Sequence, residues 1–394
     1  MMFFIILIIW LIKQNKNIIY HLSLIIKKNK LLFLGITLFL FAATISIFTS
    51  SNLKSALGEW KAFYIEPLLM FFIIITTQNN ITIKQYNNKT IRPEFNKIIF
   101  ALILSGLATS ILSIYQHFTG WMVPWDFWQN NETFRVTAWY GFPNAVGLYL
   151  APLWPLAFYG LKRSIINLKT KDWKKYLFLI PYSLFLILSP LAIFYAKSTG
   201  ALIGLTVGIG ILLLAYKKTR WITVILIIIC LSGLLSFSGF SNLRNEVTFQ
   251  DRSGQIRLSM WSDTVEFLKD HPIAGAGLAS YTEKMIPYHT TVNTEGVEIF
   301  HHPHNIFLTM WVNLGLLGLL GFVIILISII KNCFQISREH LFFSTNFKFQ
   351  IFILSSLVVI IVMGLVDSPY IKNDLAIFFW LLPALLIAHQ SQSV

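Results

Sequence analysis

Long apolar runs separated by short polar intervals set the character of this chain. Apolar residues fill 2–12, 31–49, 60–77, 98–116, 138–159, 176–195, 200–216, 221–239, 305–330, 350–366 and 374–389. Within each run the hydrophobic positions are continuous rather than alternating, which selects helices over the two-residue period of barrel strands. About 11 helices follow, several at the short end of the spanning range. The run 2–12 is short for a crossing and lacks an Ala-x-Ala-like cleavage site after it, so it reads as a short first helix, not a signal peptide. The pattern changes between 240 and 304, the longest polar interval. There Ile256, Met260, Trp261, Val265, Phe267 and Leu268 fall mostly at helical spacing, which predicts an amphipathic helix over 256–269 at the membrane interface. His271-Pro272 should end it, because the residue before proline avoids helical angles, and Gly275-Ala276-Gly277 then makes a turn. The expected fold is all-α, a polytopic transmembrane helical bundle. Residues 1–239 supply N-terminal helices, 240–304 an extracytoplasmic loop and 305–394 C-terminal helices.

Composition agrees. Of 394 residues 56% are hydrophobic and 12% charged, with a mean hydropathy of +0.67. A soluble domain carries about 25% charged residues. A membrane span must satisfy its own backbone polar groups, which helices do. Cys230 and Cys333 lie in or beside apolar runs and read as packing residues, not a disulfide framework. The net charge of +14 would suit nucleic acid, but its placement argues otherwise. Intervals 13–30, 78–97, 162–175, 217–220 and 331–349 hold 21 of the 31 Lys and Arg residues. The positive-inside rule makes them cytoplasmic, leaving 117–137, 196–199, 240–304 and 367–373 outside. The excess charge is therefore a topology signal with some attraction to anionic membrane lipid, and no nucleic-acid partner is expected. The chain has no internal repeat, Walker motif or Rossmann fingerprint, so neither ATP nor another cofactor is expected.

The candidate chemistry gathers where a polar segment meets an apolar run. His301, His302 and His304 stand just ahead of 305–330. Ionisable groups at the mouth of a span are expensive and often functional, and His readily takes a proton near neutral pH. The plainer alternative is a loop that carries histidines before a helix. Zinc would need a second ligand cluster of suitable spacing, which is lacking, so no metal is expected. Asp367, in the last outer loop, would orient a histidine, bind an acceptor sugar or cap a helix; capping is favoured. Glu295 and Glu298 read as solvated carboxylates, not a glycosidase pair. Trp121, Trp125, Trp128, Trp139, Tyr281 and Tyr288 would stack on sugar rings or, more simply, form an interfacial aromatic belt.

His304-Asn305, nine residues, Gly315, two residues and Gly318 together resemble a known signature. It is the His-Asn/Ser/Gln…Gly…Gly/Thr/Tyr pattern of the O-antigen ligase and O-antigen polymerase superfamily. These are integral membrane glycosyltransferases that use polyprenyl-pyrophosphate glycans. Arg257-Leu-Ser-Met-Trp261, with Pro272 and Gly275-Ala-Gly277, resembles that family's Arg-x-x-x-Trp…Pro-x-x-Gly-x-Gly block. Arg135 with Pro143-Asn144-Ala-Val-Gly-Leu-Tyr-Leu150 resembles its Arg…Pro-Asn-x-x-Gly/Ala-x-Tyr-Leu segment, and Pro-Asn suits a helix start. Ala196 to Ala201 matches a short outer turn where the family often has Ser-Arg-Gly. Thr199 replaces the arginine, and Lys197 offers only a point charge in its place. The resemblance runs from about residue 60 to the end and is most specific over 252–318. Eleven helices place the N-terminus outside and the C-terminus inside, whereas the family typically keeps both inside with one more helix at the start.

The resemblance implies an O-antigen ligase-like enzyme of the bacterial inner (plasma) membrane with an extracytoplasmic active site. It would move a glycan from undecaprenyl pyrophosphate to an acceptor hydroxyl on a lipid A core or similar. The alternative is a polysaccharide polymerase, whose acceptor is a second lipid-linked glycan. Less favoured are a protein O-oligosaccharyltransferase and a lipid-linked glycan flippase. A flippase should show intramembrane charges and paired repeats, whereas these runs carry few charges and no repeat. His304 is implied as the base. It also lies closest to the helix start, whereas His301 and His302 precede Pro303. Arg257 is implied at the pyrophosphate, since its planar fork donates two parallel hydrogen bonds to phosphate; the plainer role is anchoring a helix on lipid. Arg135 and Lys197 would assist, or be a surface arginine and a snorkelling lysine, and Arg252 has a weaker claim. A base on one face and a leaving group on the other imply a metal-independent, inverting transfer.

Overall fold

A computed structural model describes residues 7–8, 10, 18–81, 85–86, 89–90, 95–124, 126–129, 134–167, 178–292, 296, 298–335 and 349–390. Most of the run 2–12, much of the basic intervals 162–175 and 331–349, and the positions of Trp125 and Glu295 lie outside them. The elements begin with α1 (Ile18–Lys28), α2 (Lys30–Phe48), α3 (Leu53–Glu59), a π-helical turn (Trp60–Ile65) and α4 (Glu66–Ile81). A two-residue antiparallel pair follows, β1 (Gln85–Tyr86) with β2 (Lys89–Thr90). Then come α5 (Phe95–Thr119), α6 (Asp126–Gln129), α7 (Asn144–Asn167), α8 (Leu179–Tyr195), α9 (Thr199–Ala215) and α10 (Arg220–Ser236). The long polar interval holds α11 (Ser241–Val247), α12 (Arg252–Asp270) and α13 (Tyr281–Lys284). The chain closes with α14 (Ile306–Gln335), α15 (Phe349–Gly364) and α16 (Asn373–Gln390).

Every apolar run from 31–49 onward carries a helix, although 138–143 precede α7 as turns. Fewer of these helices than expected are built to cross a membrane alone. Among the described residues five are long and apolar enough: Lys30–Phe48, Leu53–Thr77, Asn96–Thr119, Ile306–Phe334 and Asn373–Gln390. A sixth is counted if Arg220–Ser236 and Ser238–Asp270, bent by 88°, form one span. Apolar helices α8 and α9 have 17 residues each and α15 has 16. Those lengths fall below the roughly 20 residues of a straight crossing.

The chain divides into two compact units, each discontinuous in sequence: Met1–Thr77 with Trp221–Gln335 and Gly364–Ala384, and Gln78–Arg220 with Ile336–Met363 and Leu385–Val394. In the first, α2 and α14 pack backbone to backbone. A Cβ on Gly35 would lie 2.9 Å from Ile325 Cγ1, and one on Gly321 would lie 2.7 Å from Phe39 N. Small residues allow such approach where hydrophobic burial adds little between helices in lipid. Phe39, Tyr64, Phe71, Phe322, Tyr370, Phe379 and Trp380 are buried together as an aromatic core. Tyr370 Oη donates to Phe63 O (2.8 Å), inside the π-helical turn, and accepts from Trp380 Nε1 (2.9 Å). Helix α10 exposes Trp221, Ile225, Leu235 and Cys230, as an apolar helix facing lipid would. Cys230 therefore does not pack inside, whereas Cys333 is buried.

Helix α12 starts a turn earlier than its hydrophobic spacing predicts, because Asp251 Oδ1 caps it by accepting from Gly254 N (3.1 Å). It ends at His271, as Pro272 requires. Met260, Phe267 and Leu268 pack against Ala276, Tyr281, Met285 and Val312 of α14, so protein covers this face. Val265, expected on the apolar side, is exposed.

The second unit joins α5, α7, α8, α9 and α15. Close packing at Gly147 against Ala201, and a hydrogen bond from Ser355 Oγ to Gly208 O (2.8 Å), hold it. Buried Gln116 pins the segment before α7: its Oε1 accepts from Thr137 N (3.0 Å) and Ala138 N (2.7 Å).

Candidate active site

Three consecutive residues ahead of α16 gather the site in the first unit. Leu365 O accepts from Asn305 Nδ2 (3.1 Å), Val366 O accepts from Arg257 Nε (2.9 Å), and Asp367 Oδ1 lies 3.2 Å from His304 Nδ1. Asn305 also caps α14, its Oδ1 accepting from Phe307 N (3.0 Å) and Leu308 N (3.1 Å). The signature Asn thus ties the helix start to the same loop that holds the two candidate reactive residues. His304 and Arg257, 47 positions apart in sequence, are brought to neighbouring residues of one loop.

The Asp367 contact fixes the tautomer of His304. A carboxylate only accepts, so Nδ1 carries a proton and Nε2 is the nitrogen left over. Burial alone would raise the Asp367 carboxyl, but the hydrogen bond and charge of His304 outweigh it and hold it well below the usual carboxylate range. Asp367 therefore orients a histidine instead of the favoured helix-capping role. Its Oδ1 also accepts from Ser368 N (2.8 Å). His304 has a backbone φ of 49°, a strained conformation for a residue with a side chain. Phe300 and His302 flank its ring, at 5.3 and 4.8 Å between centroids.

His302 is not the loose loop residue that its place before Pro303 suggests. Its Nδ1 is shut off from solvent and has no hydrogen-bond partner among the described residues. Burial first, and the nearby His304 second, push its basicity down to about 3, so it stays neutral. His302, His304 and Asp367 each offer a ligand atom within 4.8 Å of the others. That is the one geometry among the described residues that would suit a metal, with Asp367 as a third ligand sequence spacing did not suggest. Glu59, at the end of α3, was also missed. Its Oε2 accepts from Ala279 N (2.9 Å), and it interacts electrostatically with His301. The only signal for it was a lone carboxylate at the edge of the run 60–77.

The glycines of the motifs do structural work. Helix α14 breaks at Gly315, with φ 69° and ψ −177°. The turn after α12 plugs the break: Leu316 N donates to Ile273 O (3.0 Å) and Ala276 N to Val312 O (2.6 Å). A Cβ at Gly315 would lie 2.1 Å from Ile273 O. Gly275-Ala276-Gly277 is therefore a docking turn.

Arg135 and Lys197 are brought together in the second unit, with different duties. Arg135 Nε donates to Ala196 O (2.8 Å), and its Nη2 donates to Asn144 Oδ1 (2.6 Å) and Lys197 O (3.0 Å). Trp128 lies beneath the guanidinium, 5.2 Å from ring centroid to Cζ. Asn144 opens α7, as Pro143-Asn144 predicts, while its side-chain oxygen serves Arg135. Lys197 is exposed, with a backbone φ of 48°. Arg252 is exposed at the first position of α12.

A search of curated proteins returns no match. Residues 184–323 match a family model described as O-antigen ligase. The matched stretch runs from within α8 into α14 and contains Lys197, Arg257, His302 and His304. The histidine signature and the arginine–tryptophan block both lie inside that match, so over this stretch the multi-pass membrane protein is similar to the O-antigen ligase family.

Proposed function

We propose that this protein is an O-antigen ligase-like glycosyltransferase acting at the outer face of the bacterial inner membrane. It takes a glycan from undecaprenyl pyrophosphate and gives it to an acceptor hydroxyl of a lipid A core or similar glycan, lipid or protein. The observation that carries this reading is the pairing of His304 and Arg257 on residues 366 and 367, a base of defined tautomer beside a fork cation.

In this reading the acceptor hydroxyl gives its proton to His304 Nε2 as its oxygen bonds to the anomeric carbon. The bond from that carbon to the pyrophosphate oxygen breaks, and its electron pair leaves with the pyrophosphate. Arg257 meets that charge, while Asp367 offsets the charge His304 gains. Attack from the face opposite the leaving group inverts the anomeric carbon. The pyrophosphate supplies the driving force, so neither nucleotide nor metal enters the step.

Loss and complementation in the source cell, with glycans resolved by size, tests this. A ligase defect leaves polymer on its lipid carrier, and a polymerase defect leaves single repeats on the acceptor. Unextended units retained inside would mean a flippase. Sidedness is read separately: a cysteine at Asn242 should react with an impermeant thiol reagent in intact cells, and labelling only after lysis would reverse the topology.

A further inference from the structure

We propose that His302 is a second acceptor-binding residue, and that the acceptor is a sugar with a free hydroxyl beside the one that reacts. This rests on the glycosyltransferase reading above and narrows its acceptor class.

The first observation is the orphaned nitrogen. Buried polar groups in folded proteins nearly always have partners, and His302 Nδ1 has none among the described residues. The second is position. The His302 and His304 rings stand 4.8 Å apart at 76°, and a nitrogen of each lies within 4.8 Å of the other and of an Asp367 oxygen. Their spacing is held from both sides. Pro303 between them is buried, and its carbonyl accepts from Trp261 Nε1 (2.8 Å) of the arginine–tryptophan block. The third is chemistry. A neutral imidazole presents one donor and one acceptor nitrogen, which suits a hydroxyl that does both.

Two imidazole edges this close match two hydroxyls on adjacent ring carbons. His304 takes the proton of one, and His302 holds its neighbour and so fixes which oxygen attacks. A serine, threonine or tyrosine acceptor has one hydroxyl and would leave the His302 nitrogen unpaired. Sites built to hydrogen-bond a substrate hydroxyl reject analogues that lack it, because the buried partner is then left unmet. The reading therefore favours a sugar acceptor over a protein one.

The test uses the purified full chain, a polyprenyl-pyrophosphate-linked glycan as donor, and membranes from the deletion strain as acceptor. Wild type is compared with His302→Phe, which keeps a ring and removes both nitrogens, and His302→Asn, which restores a polar nitrogen. His302→Phe should raise the acceptor KM about tenfold or more, with a smaller change in kcat, and His302→Asn should recover part of it. Linkage analysis of the wild-type product should place the new bond on a sugar carbon whose neighbour bears a free hydroxyl. Should His302→Phe fail to accumulate, His302→Asn carries the comparison. An unchanged acceptor KM in both variants overturns the proposal, as does a product linked to a protein side chain. So does stoichiometric zinc in the purified protein with turnover lost on chelation, since His302 would then be a ligand. If His304→Ala leaves the cell's glycans as wild type does, the glycosyltransferase reading itself falls, and this proposal with it.

Discussion

In the first unit Arg257 gives Nε to the Val366 carbonyl and Nη1 to Ser253 Oγ (2.8 Å), and its Nη2 has no partner among the described residues. In the second unit Arg135 gives Nε to Ala196 O and Nη2 to both Asn144 and Lys197 O, and lies over Trp128. Both arginines were singled out by family-like motifs, and motif alone does not separate them. Hydrogen-bonding does. One guanidinium leaves Nη2 without a partner among the described residues, whereas the other is a strut that ties the 196–197 turn to the start of α7. Lys197, on the turn this strut holds, is exposed.

The largest expected effect falls on His304, whose partner Asp367 follows the Val366 carbonyl that Arg257 holds. His304→Ala should lower turnover by about 10²–10⁴-fold, the usual worth of a general base. Asp367→Asn keeps a partner for the ring but stabilises the wrong tautomer, and should lower turnover as well. Both are read as kcat with purified protein and a lipid-linked glycan donor. Equal activity in His304→Ala and wild type would remove the chemical reason for the contrast.

Lysine substitution sharpens it. Arg257→Lys keeps the charge and loses the fork, so turnover should fall about 10–10²-fold with the protein still folded. Arg135→Lys should lose strut bonds instead, with a stability loss of about 1–2 kcal/mol seen as a lower Tm, and turnover per folded molecule within about threefold. The opposite pattern would mean that Arg135 is the phosphate ligand.

The sequence shows the helices well because continuous apolar runs have one cheap solution in lipid, and each run from 31–49 onward carries a helix. It shows their crossings less well, because α8, α9 and α15 are apolar yet only 16 or 17 residues long. His304, Asn305 and Arg257 were legible through motif spacing. Asp367 was visible only as a candidate cap, since its partner lies 63 positions away. His302 looked loose beside Pro303, and nothing in the local pattern says that its Nδ1 is sealed from solvent. Glu59 meets Ala279 across 220 positions. Val265 failed for the converse reason: helical spacing marks an apolar face but not which of its edges the α13 region covers.

The last expected effect is one of pH on stability, and it belongs to the first unit. His302 has a folded value of about 3 against 6.5 in an unfolded chain. The unfolded chain therefore binds more protons between those values, and stability falls as pH drops through that window. His304 and His301 oppose a charge on His302, and Asp367 favours it, but burial is the largest influence. The Asp367 carboxyl, held low, keeps its bond throughout this range and weakens only below the ordinary carboxylate region. Between pH 7 and 5 the loss should be on the order of 2 kcal/mol. Thermal unfolding at the two pH values measures it, with His302→Asn as control because it has no proton to gain. Identical pH dependence in the two proteins would show that the folded state tolerates a charged His302, and that its ring is not sealed beside His304.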